Sequence, residues 1–91
     1  MVRPIDNDPL AIALAALTAT LSDGRRAQRF LELTGIGIDE LRARAAQPAL
    51  LAGLLRFLEA HEPDLVEVAA AAGLKPAQLV RAREQLEEGM Q

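Results

Sequence analysis

His61 is the chain's one imidazole and Ser22 its one serine, and no cysteine is present. A serine nucleophile needs its hydroxyl within hydrogen-bond reach of a base that a third group orients. No motif links Ser22 to His61, so nothing in the sequence predicts that pairing. His61 also stands between Glu59 and Glu62, and one imidazole with two carboxylates binds a metal weakly. A working metal site needs three or four ligands held by a supporting shell, and the sequence offers no further ones. The plain expectation for His61 is a polar residue at the C-terminal end of a helix, where a cation is mildly favoured. The adjacent acids Asp39-Glu40 and Glu87-Glu88 diverge by about 100° on a helix, so they do not converge on a substrate. The chain is accordingly read as a non-enzyme with no catalytic residue, no metal, no cofactor and no small-molecule substrate.

The basic residues are the next candidates. Nine of the ten are arginine in a chain of net charge −3. A negative balance argues against nucleic acid or an anionic membrane as the main partner, whereas arginine favours bidentate carboxylate pairs and protein interfaces. Arg25, Arg26 and Arg29 form an uncompensated cluster on the second helix, and this is the candidate interaction surface. Elsewhere Glu40 and Arg44 stand at i,i+4, a pair worth a few tenths of a kcal/mol.

Ala69, Gly73, Leu74 and Leu79 have the spacing of a bacterial helix-turn-helix, with residues 76–88 as the reading helix and Lys75, Gln78, Arg81 and Arg83 as its DNA contacts. Glu84, Glu87 and Glu88 share that helix and would repel phosphates. A simple helical hairpin needs the same glycine and leucine for packing alone.

The elements that would position these groups are all helical. Leucine and alanine dominate, only Phe30 and Phe57 are aromatic, and no period-2 run survives, so a sheet has nothing to build on. Asp8-Pro9, Gln47-Pro48, Glu62-Pro63 and Lys75-Pro76 mark four helix starts, because proline's missing N–H has no partner at a first helical turn. Asp23 is a cap for another. Helices are predicted over about 9–22, 24–34, 38–46, 48–60, 63–72 and 76–88, joined by short turns. The chain is thus a single domain over residues 8–88, a compact all-α bundle of five to six short helices, with flexible ends at 1–7 and 89–91.

Gly35-Ile36 and Gly73-Leu74 repeat one punctuation: a glycine with left-handed backbone ends a helix, and a buried aliphatic residue folds back onto it. They suggest two three-helix units. Leu51, Leu54, Leu55, Leu58, Leu17, Leu31 and Leu74 are expected in one core, with the fourth helix at its centre. Gly53 on that helix suggests close approach of a second backbone, because glycine costs about 1 kcal/mol in a helix interior. Leu10, Leu14, Leu17 and Leu21 predict the buried seam of the first helix. The sixth helix, with Leu79, Val80, Ala82 and Leu86, is the expected exposed edge.

The ordered set Arg29-Phe30-Leu31-Glu32-Leu33-Thr34-Gly35-Ile36, Leu41-Arg42, Gln47-Pro48 before Leu54-Leu55-Arg56-Phe57-Leu58, Glu62-Pro63-Asp64-Leu65 and Ala71-Ala72-Gly73-Leu74-Lys75-Pro76 resembles an uncharacterised family of short all-helical alphaproteobacterial proteins, a domain of unknown function. The resemblance spans about residues 9–87 and departs at Gly37-Ile38, where that family often has Asp-Pro or similar. It implies an all-helical fold and supplies no catalytic or binding residue.

Arg3 alone precedes Asp6 and Asp8 ahead of the apolar stretch Leu10–Leu21, which is too short to span a bilayer and lacks a signal peptide's basic start. Neither leader nor anchor is expected, and absence of cysteine suits the cytoplasm. What remains is a helical protein-interaction or structural module acting on a protein partner or as a homodimer. Helix-turn-helix DNA binding through residues 63–88 is the alternative.

Overall fold

The computed structural model describes residues 8–90; the expected flexible segment 1–7 and Gln91 lie outside them. Six helices follow one another: α1 (Pro9–Leu21), α2 (Gly24–Thr34), α3 (Ile38–Arg44), α4 (Pro48–Glu59), α5 (Glu62–Ala71) and α6 (Pro76–Glu88). There is no strand among the described residues. Most starts are where proline and aspartate place them. Asp8 Oδ1 accepts from the amides of Leu10 and Ala11, and Asp23 Oδ1 accepts from those of Arg25 and Arg26. Gly89 closes α6, its amide donating to the Gln85 carbonyl.

Both turn glycines have left-handed backbone, Gly35 at φ 71° and Gly73 at φ 73°, but they end their helices differently. After α5 the Leu74 amide reaches the Ala69 carbonyl at 2.8 Å and the Gly73 amide that of Ala70 at 3.1 Å, a Schellman closure. After α2 only the Gly35 amide closes, on Leu31 at 2.9 Å, and the Ile36 amide turns to the Thr34 hydroxyl. Ile36 and Leu74, expected buried, are half-buried at the edge of the core, as is Leu31; each sits at a chain reversal where one side of the residue meets water.

The core lies between α1, α4 and α6, with α5 alongside. Leu51, Leu54, Leu55 and Leu58 of α4 are fully enclosed and Leu17 nearly so. The seam of α1 differs from the leucine spacing: Ile12, Ala13, Ala16, Leu17 and Thr20 face inward, while Leu10 and Leu14 are outside. α1 has no charged side chain and is apolar on every side, so hydrophobicity does not choose its face. Size does, because Ala13 and Ala16 let α4 and α6 both come close. The Thr20 hydroxyl, also buried, donates to the Ala16 carbonyl at 2.7 Å. α6 is not an edge either: Leu79, Ala82 and Leu86 are core residues packed on α1 and α4.

Equivalence of two three-helix units does not extend to packing. α4, α5 and α6 close on one another, whereas in the first half only α1 and α2 pair closely, and α3 is held mainly by its one buried residue, Leu41. Gly53 is exposed and no atom lies within 4 Å of where its Cβ would stand. The expected backbone approach is therefore absent, and Gly53 opens a recess instead.

Candidate functional site

Of the arginine cluster on α2, only Arg25 makes no ion pair among the described residues. Arg26 is 8% exposed and reaches across to α5. Its Nε donates to Asp64 Oδ1 at 3.1 Å and its Nη2 to Glu67 Oε1 at 2.8 Å, with Asp23 Oδ2 at 3.8 Å. Arg29 Nη2 donates to Asp64 Oδ2, and His61 Nδ1 lies 3.1 Å from the same oxygen. The uncompensated surface cluster expected from sequence is thus corrected: Asp64 and Glu67 of α5, and Asp23 at the start of α2, supply its carboxylates.

Asp64 itself is 5% exposed. Burial alone would raise its pKa, but hydrogen bonds from Arg29, Arg26 and His61 outweigh it and hold the carboxyl at about 2. It is ionised at neutral pH and both of its oxygens are engaged, an arrangement that joins helices. Ser22 is similarly engaged, donating to the Ala19 carbonyl at 2.7 Å. Glu59 accepts from Arg83 at 2.6 Å, away from the grouping with His61 and Glu62 that a metal would need. No group of three or more metal-binding side chains occurs among the described residues.

Arg29 also stacks over the Phe57 ring, 5.3 Å from its centroid, and Phe57 meets Phe30 edge-to-face at 5.4 Å. These contacts fix α2 against α4, with Phe30 1% exposed. Next to Phe30 lies an open cleft of about 190 Å³ lined by Phe30, Thr34, Ile36, Arg44, Ala49, Leu50 and Gly53. Its walls are mostly apolar. The one hydroxyl, on Thr34, donates within its own helix to the Phe30 carbonyl at 2.8 Å. Arg44 is tethered at the rim by donating to Glu40 at 3.1 Å and to the Gln47 side-chain oxygen Oε1 at 3.0 Å. Leu33, 74% exposed, and Ile38, 48% exposed, stand at the same α2–α3 corner.

The residues proposed to read DNA are divided. Lys75 and Arg81 are exposed. Gln78 folds back to accept from the Lys75 amide at 2.9 Å, capping α6. Arg83 forks onto Glu59 with its Nε and Nη2 and onto Glu87 with its Nη1. Arg56 donates to Glu87 from the other side, at 2.9 Å through Nη2, and this pairing depresses the Glu87 pKa.

Sequence reasoning missed Asp64 and the cleft. Asp64 has the look of an ordinary first-turn acid of α5, favourable at a helix N-terminus without any partner. The signal that could have found it is the charge imbalance on α2: three arginines outnumber the nearby Asp23 and Glu32, and the remaining positive charge calls for a carboxylate from elsewhere. For the cleft, the signal was Gly53, an exposed break in the most apolar helix.

The model of the family described as Protein of unknown function (DUF3572) matches residues 6–89, and the chain belongs to that family. No curated protein and no solved structure matches it. Among the described residues no helix is long and apolar enough to cross a membrane.

Proposed function

We propose that the chain acts by binding another polypeptide, not by catalysis, and that the α2–α3–α4 cleft receives an apolar side chain of that partner. The observation that carries this is the cleft itself. It is lined by Phe30, Ile36, Ala49 and Leu50, with Gly53 leaving it open, and flanked by exposed Leu33 and Ile38. An apolar recess beside exposed aliphatic groups is the usual mark of an interface on a soluble protein. The Thr34 hydroxyl is already satisfied, so covering the cleft does not strand it. A cytoplasmic setting for this role suits the cysteine-free composition.

DNA binding through residues 63–88 has less support. Arg83 and Gln78 are engaged within the fold, and both would have to give up those contacts to reach a phosphate or a base.

N-acetyl-leucine amide titrated into isotopically labelled protein tests the cleft. Saturable shifts of the Thr34, Ile36, Leu50 and Gly53 resonances are expected, and they should vanish in Gly53→Leu, whose side chain fills the space. Shifts elsewhere, or none at about 10 mM ligand, a concentration that registers even millimolar affinity, would remove the proposal.

A further inference from the structure

α3 has seven residues; five of them are exposed and only Leu41 is buried, so one side chain seats the whole helix. No other helix packs extensively against it. Its polar side-chain contacts are local, Arg44 donating to Glu40 within α3 and to Gln47 just beyond it. Gly37 stands at the N-cap position and makes no side-chain cap, so the first turn lacks the closure that Asp8 and Asp23 give α1 and α2. A helix this short does not hold its shape alone in water. What keeps α3 folded is Leu41, 2% exposed in the core cluster.

The helices on either side close without help from α3. At the end of α2 the Gly35 amide donates to the Leu31 carbonyl, and at the start of α4 the Leu51 amide donates to the Gln47 carbonyl. We infer that residues 36–46 open and reclose as one flap, Leu41 leaving and regaining its socket while the α1–α4–α6 core stays folded, and that this motion gates the cleft. Ile36 and Arg44, two of the cleft's lining residues, belong to the flap, so the cleft is complete only while α3 is seated. An occupant that touches them binds the closed form and not the open one, and by that difference it holds α3 down. Low local stability is the usual property of segments that close on a ligand. This rests on the cleft's taking an apolar side chain and names the element that regulates it.

Native-state hydrogen exchange of the full-length chain, resolved amide by amide, tests this. The amides of Arg42, Ala43 and Arg44 should share one opening constant, at least about a hundredfold larger than that of Leu54 and Leu58, with a weak dependence on denaturant. Leu41→Ala should raise it at least about thirtyfold, the lower end of the cost of truncating a buried leucine expressed as a ratio, and leave Leu54 and Leu58 unchanged. Gly37→Ser acts in the opposite direction. It supplies the missing cap where no atom lies within 4 Å of the new Cβ, and should slow α3 exchange about twofold. Flap amides that exchange no faster than α4, or a Leu41→Ala that speeds α4 as much as α3, put α3 in the global folding unit and overturn the flap. N-acetyl-leucine amide at ten times its Kd should slow the α3 amides about elevenfold. A ligand that shifts Gly53 but leaves α3 exchange unchanged overturns the gate and spares the cleft. If the ligand does not bind at all, the cleft reading fails and the gate with it, whatever the α3 amides show.

Discussion

Arg26 Nε lies 3.1 Å from Asp64 Oδ1, and these two side chains, 9% and 7% exposed, tie α2 to α5. α2 has only α1 as a close helical neighbour, so this pair, with Arg29 on the same carboxylate and Phe30 against Phe57, decides where α2 lies. Phe30 and Thr34 of α2 form one wall of the cleft, so the contacts that hold α2 also hold that wall.

Asp64→Ala should therefore destabilise the protein by up to about 3–5 kcal/mol, the range for removing one partner of a buried ion pair, since Arg26 keeps only Glu67 and Asp23 at its outer side. That is a large share of the roughly 5–15 kcal/mol typical of a whole domain. Urea unfolding measures it, and a loss under about 1 kcal/mol would mean that Glu67 and Asp23 compensate Arg26 on their own.

The same carboxyl fixes a pH dependence. Its pKa falls from 3.8 to about 2 on folding, so the unfolded chain binds the proton more tightly. The associated stability, about 2 kcal/mol, is fully present above about pH 4 and is lost as pH falls toward 2. Unfolding measured from pH 6 to pH 2 should show this decline in the wild type and a shallower one in Asp64→Asn. Equal slopes would assign the acid sensitivity to other carboxylates.

Gly53→Ala should stabilise the fold by up to about 1 kcal/mol. The residue is helical, exposed and without a neighbour within 4 Å of its Cβ position, so alanine adds helix propensity and no clash. A lowered thermal midpoint would show that the helix there bends in a way the static geometry does not reveal.

Helix starts were legible because Asp8, Asp23, Pro48 and Pro76 act through backbone rules that depend only on their neighbours in sequence. The centrality of α4 was legible too, since leucines on more than one face leave that helix nowhere else to go. The face of α1 was not. Leu10 and Leu14 are larger residues, yet Ala13 and Ala16 took the core beside Ile12 and Leu17, because the spacing of three helices is settled by their joint geometry and not by any one of them. For the same reason Arg26 and Asp64, 38 residues apart, showed no link in the sequence: their pairing exists only once α2 crosses α5.

That contrast predicts unequal leucines. Leu54→Ala empties a site with no solvent exposure and should cost about 2–5 kcal/mol, whereas Leu14→Ala, on the outer side of α1, should cost under about 1 kcal/mol. Comparable losses for the two by urea unfolding would put Leu14 back in the seam.

Arg81 and Arg83 stand two residues apart on α6, and the two readings of that helix assign them opposite behaviour. If α6 reads DNA, alanine at either position weakens binding and lowers its salt slope, with little effect on stability. If Arg83 instead clamps α6 to α4 through Glu59, Arg83→Ala lowers stability by about 1 kcal/mol, because a partly buried, forked carboxylate pair is worth more than an exposed one. Arg81→Ala then leaves stability unchanged, since Arg81 is exposed and makes no ion pair among the described residues. The expected outcome is the second pattern, together with no sequence-dependent shift of duplex DNA tighter than about 1 μM at physiological salt, the limit of ordinary non-specific binding. A tighter, sequence-dependent shift that Arg81→Ala abolishes would make α6 a reading helix, and Arg83 would then have to leave Glu59 when DNA arrives.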